Sequence, residues 1–393
     1  MDKTKNYYKY FLLTSLTMSF LIYLCFNNWI ENLSIIIFTL SITLIYSLYK
    51  KKQYLSIIKS LIIIIIIYIL IFIILFINKV QIPKNIPTIN NANNKVAVIL
   101  VYSGEDSMYS TTNQITRLLL LNNKKDILFY PIKLYENKLL YNKIGKSQYK
   151  NKTKEFYHKL SNEIEDTYKV YMGYLYDDKY LEKEILNIVK EGYQKIIVVP
   201  MFLDDNYNVL NLKKRMEDFK LYNYGIEYKY IDTLWKSESL VDSYIQKIKL
   251  NFKNINKSGI NLVGIDKDII DEDKSESIKQ NILFRNKIKE KLITEFNIDP
   301  SLIKLSWYND LSPDFISKNM ELFEYGISEL IIIPVNVESS DLIKYDIYHN
   351  SIKTSELPEG VKVKVIDGFV NDNNMVKDII KKIEYIDMQK WKN

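Results

Sequence analysis

The sequence has 393 residues, room for a membrane part and one or two domains of ordinary size. Its net charge of +7 sits at one end: residues 1–95 carry ten lysines against Asp2 and Glu31, and the remaining 44 basic and 45 acidic residues nearly cancel, which excludes a nucleic-acid footprint. The single cysteine, Cys25, lies in an apolar run, so the rest of the chain has neither a disulfide nor a thiolate metal site, and two histidines argue against a histidine-cluster site.

Three apolar runs open the chain, at 11–26, 33–49 and 60–77, the last with six consecutive isoleucines at 62–67. Its apolar residues sum to about −5 to −9 kcal/mol on the insertion scale, enough to span a bilayer. Lys3, Lys5 and Lys9 precede the first run, Lys50, Lys51, Lys52 and Lys59 separate the second from the third, and none separates the first from the second. The excess of lysine on cytoplasmic loops then predicts a multi-pass protein of the cell membrane with a cytoplasmic N-terminus and everything after Asn78 on the outer side. Residues 79–95, with Pro83 and Pro87, read as a linker.

Beyond the linker, strands and helices alternate. The continuous apolar run at 96–102 is a buried strand, and 110–121 has helical spacing. A second strand is predicted at 127–132, an irregular polar stretch at 135–152 and a surface helix at 154–168. Strand 170–174, helix 180–191, strand 195–199 and helix 210–221 follow. The second half restarts at Gly259 with strand 260–265, helix 275–296, strand 303–306, helix 312–325, strand 329–333 and helix 342–354. The pattern predicts an α/β protein: two Rossmann-like, doubly wound parallel-sheet halves preceded by three transmembrane helices. The boundaries are 1–78 for the membrane anchor, 79–95 for the linker, 96–256 for the first half and 257–393 for the second.

Each half closes on a similar segment. Residues 225–249 (GIEYKYIDTLWKSESLVDSYIQKIK) and 360–384 (GVKVKVIDGFVNDNNMVKDIIKKIE) align without a gap at eight identical positions, including Gly225/Gly360, Asp232/Asp367 and Ile248/Ile383. Upstream, EGYQKIIVVPMF and YGISELIIIPVNV each end a strand at a proline, Pro200 and Pro334, in nearly the same register. Two echoes in one register argue for a tandem repeat of one α/β unit.

In open α/β sheets, ligands bind beyond the carboxyl ends of the strands. Those ends carry Glu105 and Asp106, Asp204 and Asp205, Asp266 and Asp268, and Glu338 and Asp341. Carboxylates that meet repel unless they share protons or a cation, and a hard cation such as Mg²⁺, Ca²⁺ or Fe²⁺ suits them. Asp266, Asp268, Glu338 and Asp341 are the candidate metal ligands; the competing expectation for each acid is capping of the helix that follows. Tyr102 and Tyr207, at strand ends, are candidates to contact a flat aromatic ligand. His158 is expected to face solvent, and His349 lies two turns into the helix that begins near Asp341.

The order of elements resembles the ferrochelatase family of the class II chelatase superfamily. The stretches that carry the likeness are KVYMGYLYDDKYLEKEILNIVKEGYQKIIVVPMFLDDNYN, YIDTLWKSESLVDSYIQKI and LSWYNDLSPDFISKNMELFEYGISELIIIPVNVESSDLIKYDI. The resemblance implies two Rossmann-like halves that hold a porphyrin, haem or related tetrapyrrole and a divalent metal, Fe²⁺ or Mg²⁺. It places the family's Ser-Ala-His-Gly tetrad on Gly264-Ile265-Asp266-Lys267, so Asp266 stands at the histidine position, and the family's second acid falls at Asp341 or Leu342. Asp266 and Asp341 are thus the catalytic candidates, though a carboxylate with an ordinary pKa of about 4 is a far weaker base than imidazole for stripping pyrrole protons. The expectation is a membrane-tethered, ferrochelatase-like domain that binds a tetrapyrrole or a metal, with lipid as its other partner and insertion chemistry degraded or lost. Three other readings are open: a lyase of the ferrochelatase type working through carboxylates, a metal-dependent glycosyltransferase suggested by Asp266-Lys267-Asp268, and a two-lobed solute sensor.

Overall fold

The computed structural model describes residues 2–50, 56–83, 85–87, 93–121, 124–251, 257–265, 274–308, 311–338, 340–353, 357–368 and 371–391. The chain forms two compact units: Met1–Gln81 with Asp106–Lys146, and Ile82–Glu105 with Ser147–Asn393.

In the first unit, helices α1 (Asp2–Cys25), α2 (Asn28–Lys50) and α3 (Ile57–Ile77) are each long and apolar enough to cross a membrane. An insertion packs on them, made of α4 (Thr111–Leu120), a 3-10 turn (Lys124–Phe129) and α5 (Tyr130–Ile144). The strand expected at 127–132 and the irregular stretch expected from 135 are therefore helical. The reason is tertiary. Lys138 of α5 is 1% exposed, and its ammonium caps the end of α1 through the carbonyls of Phe26, at 3.0 Å, and Tyr23, while pairing with Glu31 at 3.2 Å. The Cys25 carbonyl accepts from the Tyr109 hydroxyl at 2.6 Å and the Thr111 hydroxyl at 2.8 Å. The last carbonyls of a helix have no partner within it and carry its negative dipole end, so a cation and two hydroxyls complete α1.

The second unit holds two four-stranded parallel sheets. Strands β1 (Asn93–Tyr102), β2 (Tyr168–Tyr174), β3 (Tyr193–Pro200) and β4 (Glu227–Tyr230) form one in the order β2-β1-β3-β4. Strands β5 (Ser258–Ile265), β6 (Ile303–Tyr308), β7 (Glu329–Val335) and β8 (Lys362–Val365) form the other in the order β6-β5-β7-β8, which is the same topology. The helices of the first lobe are α6 (Tyr149–Ile164), α7 (Leu181–Lys190), α8 (Tyr207–Asp218) and α9 (Glu238–Asn251). Those of the second are α10 (Lys274–Phe296), α11 (Phe315–Glu324), α12 (Asp341–Lys353) and α13 (Asn373–Met388). The expected α/β architecture with three preceding apolar helices is what the chain adopts.

Central strands of a parallel sheet bury both faces, and alternate residues serve different cores. Val96, Val98, Leu100 and Tyr102 of β1 face a core that also takes in Phe156 of α6, Tyr244 of α9, Phe284 of α10 and Ile379 of α13, together with Ile260 and Leu262 of β5. One apolar core thus runs continuously from the first sheet to the second. Val263 of β5 points the other way, to a separate core with Phe315, Leu322 and Ile347. Asn206, Asp314 and Asp372 cap α8, α11 and α13 through the usual side-chain to backbone N–H bonds. Within the first lobe Arg215 of α8 and Glu182 of α7, each 8% exposed, form a fork: Nε to Oε1 at 2.8 Å and Nη2 to Oε2 at 2.6 Å, with Nη1 donating to the Leu175 carbonyl at 2.7 Å.

Candidate functional site

The carboxyl ends of β1 and β7 meet in a buried seam. After Tyr102, the chain turns at Gly104 with φ +94°, where a Cβ would lie 2.8 Å from that of Asp177. Only glycine takes that corner without strain. It brings Glu105 to the second lobe, where Ser340 and Asp341 begin α12. Glu105, 3% exposed, accepts from the Ser147 hydroxyl at 2.5 Å, from the Ser340 hydroxyl, and from the Asp341 N–H at 3.2 Å.

The second lobe replies in kind. Glu338, beyond β7, accepts from the Ser103 N–H at 2.9 Å and from the Tyr149 hydroxyl, which itself accepts the Gly104 N–H at 3.1 Å. Asp341 accepts from the Gln148 N–H at 2.6 Å and from the Lys152 ammonium at 2.9 Å. Lys152 also reaches Asp367, a residue of the repeated segment, at 2.6 Å. Each of these acids therefore accepts from donors of the other lobe, Glu105 also from Ser147 of its own. Like charges are kept apart by hydroxyls, backbone amides and one shared ammonium, which answers the repulsion expected from carboxylates in proximity. Helix α12 is capped by Ser340, whose hydroxyl accepts the Ile343 N–H at 3.1 Å, so Asp341 is left for the seam.

Glu338 enters a cluster of phenols, Tyr102, Tyr149 and Tyr174, with Tyr174 ring centroids 6.2 Å from Tyr102 and 6.3 Å from Tyr149. Burial pushes the Tyr102 and Tyr149 hydroxyls well above the ordinary tyrosine value, with the nearby Glu338 charge adding to the effect. Burial pushes Tyr174 up to about 12. All three remain neutral donors near pH 7. The Tyr102 hydroxyl, fully buried, has no hydrogen-bond partner among the described residues.

A second set of cross-lobe bonds follows β3. Asp204 accepts from Ser277 at 3.0 Å and Asn281 at 2.9 Å, both on α10, and Asp205 exchanges bonds with Gln280 at 2.9 and 3.0 Å. Burial raises the Asp204 carboxyl above the ordinary aspartate value, the two hydrogen bonds opposing it. A raised native pKa means the folded chain takes up this proton before the unfolded chain does. The group's contribution therefore turns favourable as pH falls from its native value toward the unfolded value of about 3.9. Relative to Asp204→Asn, the wild type should gain stability across that window; unfolding curves of both proteins at stepped pH check it, and parallel profiles would refute it.

Further along α10, Arg285 is 1% exposed, stacks 4.2 Å over Trp307 and donates to the carbonyls of Leu262 at 3.0 Å and Ser306 at 2.5 Å. Burial pulls its guanidinium down to about 9, with Asp204 opposing, so it stays cationic at neutral pH. Gly264 at the end of β5 makes room for this stack, since a Cβ there would lie 2.5 Å from the Trp307 ring. From α9, the Tyr244 hydroxyl accepts the Asn336 N–H at 2.9 Å and lies 3.0 Å from the Gly368 carbonyl. Gly368 is itself tight: a Cβ would meet the Pro334 carbonyl oxygen at 2.2 Å.

Of the residues singled out in the sequence, Tyr102, Glu338 and Asp341 come to the seam. Tyr207 opens α8, half-buried. Asp266 and Asp268 lie outside the described residues. His158 is exposed on α6, and His349 stacks on Tyr345 at 5.9 Å. Among the described residues no group of three His, Cys, Asp or Glu side chains could hold a metal ion. Tyr149, Lys152, Ser147 and Tyr244 were not anticipated. The first three fall in the stretch 135–152 or beside it, whose polar composition carried no period.

No protein-family model matches the sequence, and no curated protein does. The fold is a different matter. SirB from Bacillus subtilis with Fe³⁺ superposes with a TM-score of 0.51 at 13% identity, covering 75% of this chain and 98% of that one. The sirohydrochlorin chelatase SirB from Bacillus subtilis subspecies spizizenii in complex with cobalt follows at 0.48 and 12%, covering 74% and 94%. The protein has the chelatase fold. A multi-domain protein of Deinococcus radiodurans with structural similarity to chelatases is a third neighbour, at 0.43 and 10%, covering 74% of this chain and 54% of that one. The chelatase fold accounts for both lobes, and at such identities the likeness is one of architecture.

Proposed function

We propose that this chain is a membrane-anchored chelatase-fold protein that binds a tetrapyrrole, with or without a divalent metal, at the strand ends of its two lobes. The observation that carries this reading is the superposition on nearly the full length of SirB from Bacillus subtilis with Fe³⁺. The buried Tyr102 hydroxyl without a partner among the described residues supports a ligand at the same place. The duplicated segments support an origin by tandem repeat, and the lysine distribution supports an outer location for the lobes.

Metal here is cargo rather than a resident cofactor. As the seam stands, the oxygens of Glu338 and Asp341 are held by Ser103, Tyr149, Gln148 and Lys152, so a cation would have to displace those donors. With Asp266 where the resembling family has histidine, insertion by that family's route is not part of the proposal. The test is a titration of the full chain in detergent with sirohydrochlorin, coproporphyrin and haem, each with and without Fe²⁺ or Co²⁺. A shifted absorption band and a rise in thermal stability are expected, about 2.7 kcal/mol at a hundredfold excess over Kd. Silence from all three pigments would end the proposal. Metallation of the pigment by wild type but not by Asp266→Ala would replace it with a carboxylate-driven chelatase.

A further inference from the structure

The insertion of the first unit touches α3 far from that helix's end. The Tyr68 hydroxyl donates to the Leu128 carbonyl, the Phe72 ring stacks on Tyr130 with centroids 6.3 Å apart, and Ile71 and Leu75 share a core with Ile115, Tyr130 and Leu134. Tyr68 lies nine residues before Ile77, the last residue of α3, which is about 13 Å along a helix axis. The apolar half-thickness of a bilayer is about 15 Å. The 3-10 turn therefore lies beside the span itself. Leu128, Phe129 and Ile132, of this turn and the start of α5, are 66, 54 and 50% exposed.

We propose that Leu128, Phe129 and Ile132 lie among lipid acyl chains, so that the turn and the start of α5 form a second, non-spanning membrane element beside the three helices. Continuity argues for lipid as the occupant. The patch adjoins a helix whose own outer residues, Ile65, Ile66 and Ile69, are 58, 51 and 54% exposed and are apolar throughout. The hydrogen bond supports the same depth: a backbone carbonyl has no water to turn to in hydrocarbon, and Tyr68 supplies the donor from within the span.

The inference rests on α1–α3 crossing a bilayer, and the experiment separates the two. In the full chain with Cys25→Ala, single cysteines replace Leu128, Phe129 or Ile132, with Ile66→Cys as the span control and Tyr325→Cys as the aqueous one. Each is nitroxide-labelled and reconstituted in phosphatidylcholine–phosphatidylglycerol liposomes, and collision with oxygen is compared with collision with a water-soluble nickel chelate. The expected result is an oxygen-to-nickel ratio at 128, 129 and 132 several-fold above that at 325 and close to that at 66. A ratio at all three sites equal to that at 325, with 66 lipid-exposed, overturns the inference alone. An aqueous ratio at 66 overturns the membrane reading and the inference with it. Dipolar broadening between labels at 129 would assign the face to a second copy of the chain and also overturn it.

Discussion

Glu338→Leu is expected to destabilise the α/β unit by about 2–5 kcal/mol, because it strands one buried and one partly buried donor at about 1–3 kcal/mol each. The donors are the Ser103 N–H and the Tyr149 hydroxyl, both of the other lobe; the hydroxyl is buried and the N–H partly so. Glu338→Gln keeps an acceptor and should cost less. Tyr149→Phe combined with Glu338→Leu should cost less than the sum of the two single changes, since the second removes one of the groups the first leaves unpaired. Guanidinium unfolding of the full chain in detergent, followed by tryptophan fluorescence, measures the set. If Glu338→Leu were as stable as wild type while tetrapyrrole or metal affinity fell, Glu338 would be a ligand rather than a fastener, and the seam as drawn would be wrong.

Arg215→Met should have a comparable or larger effect, about 3–5 kcal/mol, because it leaves the Glu182 carboxylate buried without its cation. The fork is fully formed, and the third guanidinium nitrogen also holds the Leu175 carbonyl after β2. Glu182→Leu together with Arg215→Met should recover most of the loss, since a well-packed apolar pair of similar volume is often no worse than a buried ion pair. The same unfolding assay reads both. A single variant within about 1 kcal/mol of wild type would show that the pair is hydrated in solution, contrary to its burial.

Much of this architecture is legible from residues alone. The runs at 96–102, 195–199, 260–265 and 329–333 are apolar on both faces because their strands are covered on both sides, and a continuous apolar run is the direct signature of that environment. Residues 127–132 mislead for a related reason. Ile127 and Tyr130 are apolar without being in a sheet because they pack into the core shared with helix α3, and Pro131 starts a helix there instead of ending a strand. Helix α5 has little amphipathic pattern since its most buried polar group, Lys138, is satisfied by the end of a helix about a hundred residues earlier, which no local period reveals. At the seam the acids were visible and their partners were not. Strand ends announce Glu105, Glu338 and Asp341, but Ser147, Tyr149 and Lys152 acquire meaning only when the start of α6 is brought against β7.

The path of the chain between its two units has a consequence for how it comes apart. The polypeptide leaves the first unit near Gln81, returns at Asp106 and leaves again after Lys146. Nicking it once between 82 and 92 would leave α4 and α5 on the C-terminal fragment while α1–α3 stayed on the other, and those pieces share a core and a buried lysine bridge. The fragments should therefore co-migrate after proteolysis and separate only in denaturant, as a clasp rather than a leash would behave.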